Sequence, residues 1–284
     1  MQSDLPKTII RTLIPRPVRN WLRSPSRSAE WIWDSAQFTV GITKKLQLPG
    51  AWTLVCHPHA YKIAYRDQIV DPEQGREFQD FLSHCDSRMN LFDIGAHFGI
   101  FSLAAAHFGG KAVAVDPSPT AKRMIAKQAA LNGYTDRIQI VQAAVSDTNG
   151  AMGLLSSGVF SDGYFKVAEG RSKRDLTQTR AVTVDQMVRD FGIPTHLKID
   201  VEGHEAAVLR GARATLSQFS PLLFLELHNE MVVSEGGDPT SALDEIAQLD
   251  YATFGHDGRA LSRTEILARP IVRILAKAPV RVNS

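Results

Sequence analysis

Two cysteines, Cys56 and Cys85, are all that 284 residues contain. So few exclude a disulfide framework and a cysteine-built metal cage, leave room for at most one bridge, and fit a reducing compartment. Long apolar runs are also missing. Nothing approaches the roughly 18–20 apolar residues that span a bilayer. In "TIIRTLIPRPVRNWL", Arg11, Pro15, Arg16 and Pro17 break the run before it reaches the length of a signal peptide's apolar core. The expectation is a cytoplasmic chain. Two glycine signatures are absent as well, G-x-G-x-x-G for dinucleotides and G-x-x-x-x-G-K-[ST] for nucleoside triphosphates. Neither an internal repeat nor a low-complexity tract is present.

What is there is an ordinary globular composition, 44% hydrophobic and 22% charged, with an uneven charge. Residues 1–30 carry six Lys/Arg against two Asp/Glu and residues 259–284 six against one, so a net charge of +2 leaves the middle at −7. An acidic body with basic ends argues against a nucleic-acid-binding core. Residues 1–50 are expected to form a basic helical extension carrying Trp21, Trp31 and Trp33, residues 51–258 the main domain, and residues 259–284 a basic tail or helix. In "RPIVRILAKAPVRV" the cations at 269, 273, 277 and 281 recur every fourth residue. On a helix they would share one face, the pattern of a solvated terminal helix packed on its own domain, and one also compatible with weak peripheral contact with an anionic membrane.

Short runs such as "WTLVCHP" and "YKIAYRD" read as strands, followed by an acidic helical stretch, "DPEQGREFQDFLSHC". From residue 89 a regular alternation begins. "NLFDI", "KAVAVD", "RIQIVQAAVSD", "HLKIDVE" and "PLLFLELH" read as buried strands. "IFSLAAAHF", "SPTAKRMIAKQAALNG" and "EAAVLRGARATLSQF" read as helices, the second with Ser118 as N-cap, Pro119 at the first position and Gly133 past its end. The fold class is therefore α/β, a mostly parallel twisted sheet with helices on both faces and an N-terminal helical/β extension. Ligands of such sheets bind at the carboxyl ends of the strands.

Carboxylates stand at four of those five ends: Asp93, Asp116, Asp200 with Glu202, and Glu226; the third strand reaches Asp147 only after "AAVS". One such acid could simply cap a helix, but the set suggests a ligand. Asp93 before the Gly95/Gly99 turn repels phosphate and suits a cation. Asp116, 21 residues beyond Gly95, has the placement of a carboxylate that accepts hydrogen bonds from ribose. Ribose, a cationic group and no phosphate together describe S-adenosylmethionine.

"FDIGAHFGIFSLAAA", "AVDPSP", "AAVSD", "LKIDVEGHEAAVLRGA" and "LFLELH", over roughly residues 70–230, resemble the FkbM-type family of S-adenosylmethionine-dependent methyltransferases. The resemblance implies a class I methyltransferase (Rossmann-like) fold and methyl transfer to oxygen, often a hydroxyl of a sugar, glycan, glycolipid or natural product. It implies that Asp93, Gly95, Ala96, His97 and Gly99 form the cofactor loop, with Asp93 near the methionine ammonium. Asp116 would hold the ribose, Pro117 and the Ala143–Ala144 region would flank the adenine, and Asp200 would stand near the methyl group. One departure is His97, where the family usually has Asn.

A hydroxyl acceptor benefits from a general base. Asp200, His204, Glu226 and His228 are the candidates, with His204 or His228 favoured because histidine titrates near neutrality. Asp200, Glu202 and Glu226 also form a candidate oxygen set for a divalent metal, a cofactor not expected here. Residues 148–182 interrupt the sheet; Gly150, Gly158 and Gly163 with Phe160, Tyr164 and Phe165 suggest a hairpin, either a lid over the crevice or plain packing. The alternative from a different class is a non-catalytic S-adenosylmethionine-binding interaction module. The acceptor and the oligomeric state are not legible in the sequence.

Overall fold

The computed structural model describes Trp33, Ala36 and residues 40–156, 165–167 and 177–279. Most of the expected N-terminal extension, with Trp21 and Trp31, and Gly158, Phe160, Gly163 and Tyr164 of the insertion lie outside the described residues. The chain opens with an antiparallel hairpin, β1 (Lys44–Leu48) and β2 (Trp52–Cys56), so residue 50 is no boundary. "YKIAYRD" is helical rather than extended. Pro58 starts helix α1 (Pro58–Tyr65), His57 Nδ1 accepts from the His59 N–H, and the helix runs on into a π-helical turn, Arg66–Val70. Helix α2 (Pro72–His84) follows, capped by Asp71.

Strands β3 (Asn90–Ile94) and β4 (Lys111–Val115), then β5 (Ile138–Val141), are parallel neighbours. Helix α3 (Ile100–His107) joins the first pair; helix α4 (Pro119–Asn132), with the expected Ser118 cap and Gly133 stop, joins the second. The single third strand expected over 137–147 is two. After β5 the chain leaves the sheet, and β6 (Ala144–Val145) belongs to a second one with β7 (Gly150–Ser156), β8 (Phe165–Val167) and β9 (Thr177–Val182), ordered β6-β9-β7-β8. Asp147 pairs with Arg210 and does not reach the crevice.

Strands β10 (His196–Ile199) and β11 (Leu222–Leu227) complete the parallel set. The segment between them, expected as one helix, breaks at Gly211 into Glu205–Arg210 and Arg213–Phe219. A β-carbon at Gly211 would lie 2.1 Å from the Ser146 carbonyl oxygen, so the chain bends where two backbones touch. Strands β12 (Ala252–Phe254) and β13 (Val272–Lys277) add an antiparallel edge, giving the order β12-β13-β11-β10-β3-β4-β5. The C-terminal stretch is thus no basic tail or helix through 277; it is a strand of the main sheet. Both cysteines are free. Among the described residues no helix is long and apolar enough to cross a membrane.

Alternation sorts the sheet's side chains to two faces. Phe92, Ile94, Leu197, Ile199, Leu223 and Leu225 join one apolar core, and Leu91, Ala112, Ala114 and Phe224 join the other. Asp93, Lys198 and Glu226 share the second face by register, beneath α2. The chain runs outward from β3 through β4 and β5, then returns to β10 on the other side of β3. That reversal opens the crevice between β3 and β10, where Gly95 and Asp200 emerge.

Candidate active site

A cavity of about 610 Å³ lies at the carboxyl ends of the parallel strands, a size suited to a cofactor with its substrate. One end is mostly apolar: Ile94, Val115, Pro117, Ala143, Ala144 and Val145, with Met152 and Leu154 from β7. The insertion, expected as either a lid or plain packing, therefore contributes a wall of the cavity through β7. The other end is polar and includes Asp200, Glu202, His204, Glu226, His228 and Arg273.

The turn after β3 is built by backbone. The Gly95 and Ala96 N–H groups both donate to the Val115 carbonyl, at 2.9 and 3.1 Å. Gly95 has φ +81°, and Gly99, at φ +76°, opens α3. His97 has φ +50°, a conformation in which Asn and His are enriched among non-glycine residues, and this accounts for His at an Asn position. Asp93 departs from expectation. It is buried, absent from the cavity wall, and its Oδ2 accepts from the Ser102 N–H and hydroxyl at 3.1 and 2.6 Å, tying the strand to α3. Burial raises its carboxyl. Ala96 and Gly99 likewise shape the turn without lining the cavity.

Asp116 does line it. Its Oδ2 accepts from the His97 N–H at 2.9 Å and its Oδ1 from the Ser118 N–H at 2.8 Å. These bonds fix the carboxylate plane and leave lone pairs directed away from the backbone. Burial pushes its pKa up to about 6, against the pull of the Ser118 and His97 amides.

At the polar end a buried lysine organises the acids. Lys198 Nζ lies 2.9 Å from Glu77 Oε1, 3.7 Å from Glu226 Oε2 and 3.9 Å from Asp200 Oδ2, with the Phe101 ring 5.1 Å away. Its side chain is 2% exposed; burial opposes its charge, but Glu77, Asp200 and Glu226 raise its pKa nonetheless. Arg273 grips Glu226 through two nitrogens, at 3.0 and 2.5 Å, and reaches Glu77 at 3.5 Å. Burial, then repulsion from Asp200, push Glu226 up to about 7 against its cationic partners. Asp200 keeps a third of its side chain exposed, and its carboxyl is also raised by its surroundings. Glu77, Lys198 and Arg273 were not anticipated; for Lys198 and Arg273 the available signal was a lone charge inside an apolar strand in "HLKI" and "IVRIL".

His228 Nδ1 lies 2.8 Å from Glu205 Oε1, and Nε2 lies 3.5 Å from Glu202, 3.7 Å from Glu226 and 3.9 Å from Asp200. Burial alone would lower its pKa, yet the Glu205 hydrogen bond and the charges of Asp200, Glu205 and Glu202 raise it to about 9. His228 is therefore a cation at neutral pH, which counts against the expectation of a resting general base. His204 lines the cavity with Nε2 3.0 Å from Ser146 Oγ. The possible metal set also changes. Asp200, Glu226 and His228 offer atoms within 4.8 Å of one another, and Glu202 is not in the group. A metal there would have to displace the proton from His228 and compete with Arg273 for Glu226.

Residues 93–253, more than half of the chain, match the family model of the methyltransferase FkbM domain. A ribosomal protein L11 methyltransferase from Pelotomaculum thermopropionicum is 34% identical over 74 residues, 25% of this chain and 24% of that protein. The chain thus spans about a quarter of the length of that curated relative. Among solved structures, a methyltransferase FkbM from Methylobacillus flagellatus is 16% identical with a TM-score of 0.47, covering 76% of this chain and 53% of that one. An O-methyltransferase from Bacillus cereus in complex with SAH is 14% identical with a TM-score of 0.45, covering 96% of both chains. A SAM-dependent O-methyltransferase from Thermotoga maritima is 13% identical with a TM-score of 0.43, covering 85% and 79%.

Proposed function

Since the chain belongs to the FkbM methyltransferase family, we propose that it uses S-adenosylmethionine to methylate a hydroxyl of a sugar, glycan or natural product. The observation that carries this reading is the divided cavity. Asp116 presents a backbone-anchored carboxylate at the apolar end, and several carboxylates converge at the other. The apolar end suits an adenine ring and the Asp116 oxygens suit ribose hydroxyls. The acidic end suits a positive charge. When bound, S-adenosylmethionine supplies a methyl group already activated on a sulfonium.

The protein's task is then placement, which can be worth roughly 7–11 kcal/mol, and removal of the acceptor's proton. Asp200 is the base in this reading. It faces the cavity, and its raised pKa makes it a stronger proton acceptor than an exposed carboxylate. His228, cationic and fixed by Glu205, holds Asp200 and Glu202 in position, while Lys198 and Arg273 pair with Glu226 beside them. His204 stands at the rim as a hydrogen-bonding group for the acceptor.

Labelled methyl transfer from S-adenosylmethionine to a panel of hydroxylated glycans tests this. Transfer by the wild type that falls at least 100-fold in Asp200→Asn, with cofactor binding retained, is the expected result. Cofactor binding with no transfer to any acceptor favours the non-catalytic module instead.

A further inference from the structure

A second, smaller cavity of about 130 Å³ backs onto the acceptor end of the first. The two share a wall. Gln74 faces the large cavity, while Glu73 and Arg76, beside it on α2, face the small one. Pro270 and Ile271 line the large cavity, Arg269 lines the small one, and Arg273 lines both. Their charges are opposite. The large cavity carries six carboxylates against two guanidiniums, and the small one has four guanidiniums (Arg76, Arg259, Arg269, Arg273) against Glu73 and Asp257.

Two of the four are committed, Arg273 to Glu226 and Arg259 to Glu265 at 2.7 Å. Arg76 spends its Nε on the Pro72 carbonyl. Among the described residues, Arg76 and Arg269 make no ion pair within 4.0 Å, although both border the same pocket and the charge of Arg76 acts on Asp257 across it. Guanidinium groups gathered around a small concavity are the geometry that recognises a planar or tetrahedral oxyanion. The acidic cavity repels such a group, so an anionic acceptor needs a separate seat for its charge.

We infer that the small cavity is a specificity subsite that seats an oxyanion group (a carboxylate, sulfate or phosphate ester) of the methyl acceptor, held by Arg76 and Arg269. This deepens the reading above and rests on it for the word acceptor; the anion site itself stands on the arginines alone. The acceptor's hydroxyl lies in the large cavity, and its charged substituent passes Arg273 into the small one.

The full chain is titrated with inorganic phosphate at constant ionic strength, as wild type, as Arg76→Ala/Arg269→Ala, and as a charge-matched control, Arg123→Ala/Arg189→Ala, whose residues line neither cavity. Both sites of the first double variant are exposed, so folding survives. Saturable binding by wild type and control, weakened at least tenfold in Arg76→Ala/Arg269→Ala, is expected. Equal affinity in all three, or none in the wild type, overturns the site. Labelled transfer to glucose, glucuronate and glucose 6-phosphate then identifies the source of the anion. A KM at least tenfold lower for an anionic sugar, lost in the double variant with kcat on glucose kept, is the expected result. Equal KM values in the wild type overturn the acceptor assignment. Calorimetry with S-adenosylmethionine on the same proteins keeps the two claims apart: failure to bind it sinks the methyltransferase reading, while the phosphate titration still judges the pocket.

Discussion

Gly95 and Asp200 approach so closely that a β-carbon on residue 95 would sit 1.8 Å from the Asp200 carbonyl oxygen. The cofactor turn and the acidic strand end are therefore one unit, joined at the point where the sheet reverses its order. The Asp200 N–H also donates to the Ile94 carbonyl at 3.0 Å, so neither segment can shift without the other.

Gly95→Ala tests that unit. With φ at +81° and backbone in the way, the variant must separate the two strand ends. Cofactor binding should be lost and stability should fall by about 2–4 kcal/mol, read by urea denaturation; Gly133→Ala, open to solvent at φ +75°, should cost far less.

Asp116→Asn should weaken S-adenosylmethionine binding roughly 10- to 100-fold, the range for hydrogen bonds to a charged group at about 1.5–3 kcal/mol. The pH profile carries the sign. The carboxylate form is the binding form, and in the free protein it gains a proton as pH falls through about 6. Wild-type affinity should weaken below that pH, and the Asn variant should lose this part of the dependence. An unchanged profile in titration calorimetry would remove Asp116 from the ribose site.

His228 makes a prediction about stability. Its folded pKa of about 9 stands above its unfolded value, so its contribution is complete below about pH 6.5 and disappears as pH rises through 9. The loss is on the order of 3 kcal/mol at about 1.4 kcal/mol per pKa unit. Glu226, raised to about 7, and Asp116, raised to about 6, have shed most of their protons by pH 8. The decline between about pH 6.5 and 9 should therefore be smaller in His228→Gln, while the further decline above pH 8 that comes from the buried Cys56 and Cys85 thiols, pushed up to about 12, should remain in both proteins; a decline of the same size in both proteins would contradict the assignment.

How much of this was written in the chain depends on how local each feature is. Gly95, Asp116 and the Ser118 cap are legible because a turn or a cap is determined by residues a few positions apart. The cations at 273 and 277 were misread for a physical reason: four is an even number, so such residues share a face of a strand as well as of a helix. The break at Gly211 and the split of residues 138–145 into two sheets depend on contacts with distant backbone. Glu77 could not be foreseen at all. It is one acid on an amphipathic helix until α2 folds over the sheet and brings it to Lys198.

Lys198 should prove structural as well as electrostatic. Lys198→Met leaves Glu77, Asp200 and Glu226 without their shared cation, and loss of one partner of a buried pair costs about 3–5 kcal/mol. Adding Glu77→Gln should recover part of that loss in thermal denaturation. Additive losses in the double variant would mean that the two residues are not coupled.

The most direct measurement of the central claim is a crystal structure of the full chain soaked with S-adenosylhomocysteine. Ribose hydroxyls on the Asp116 carboxylate, the base between Ala144 and Leu154, and the sulfur beside Asp200 are the predicted result. Density elsewhere on the molecule, or a phosphate-bearing nucleotide carried through purification and seated against Gly95, would contradict it.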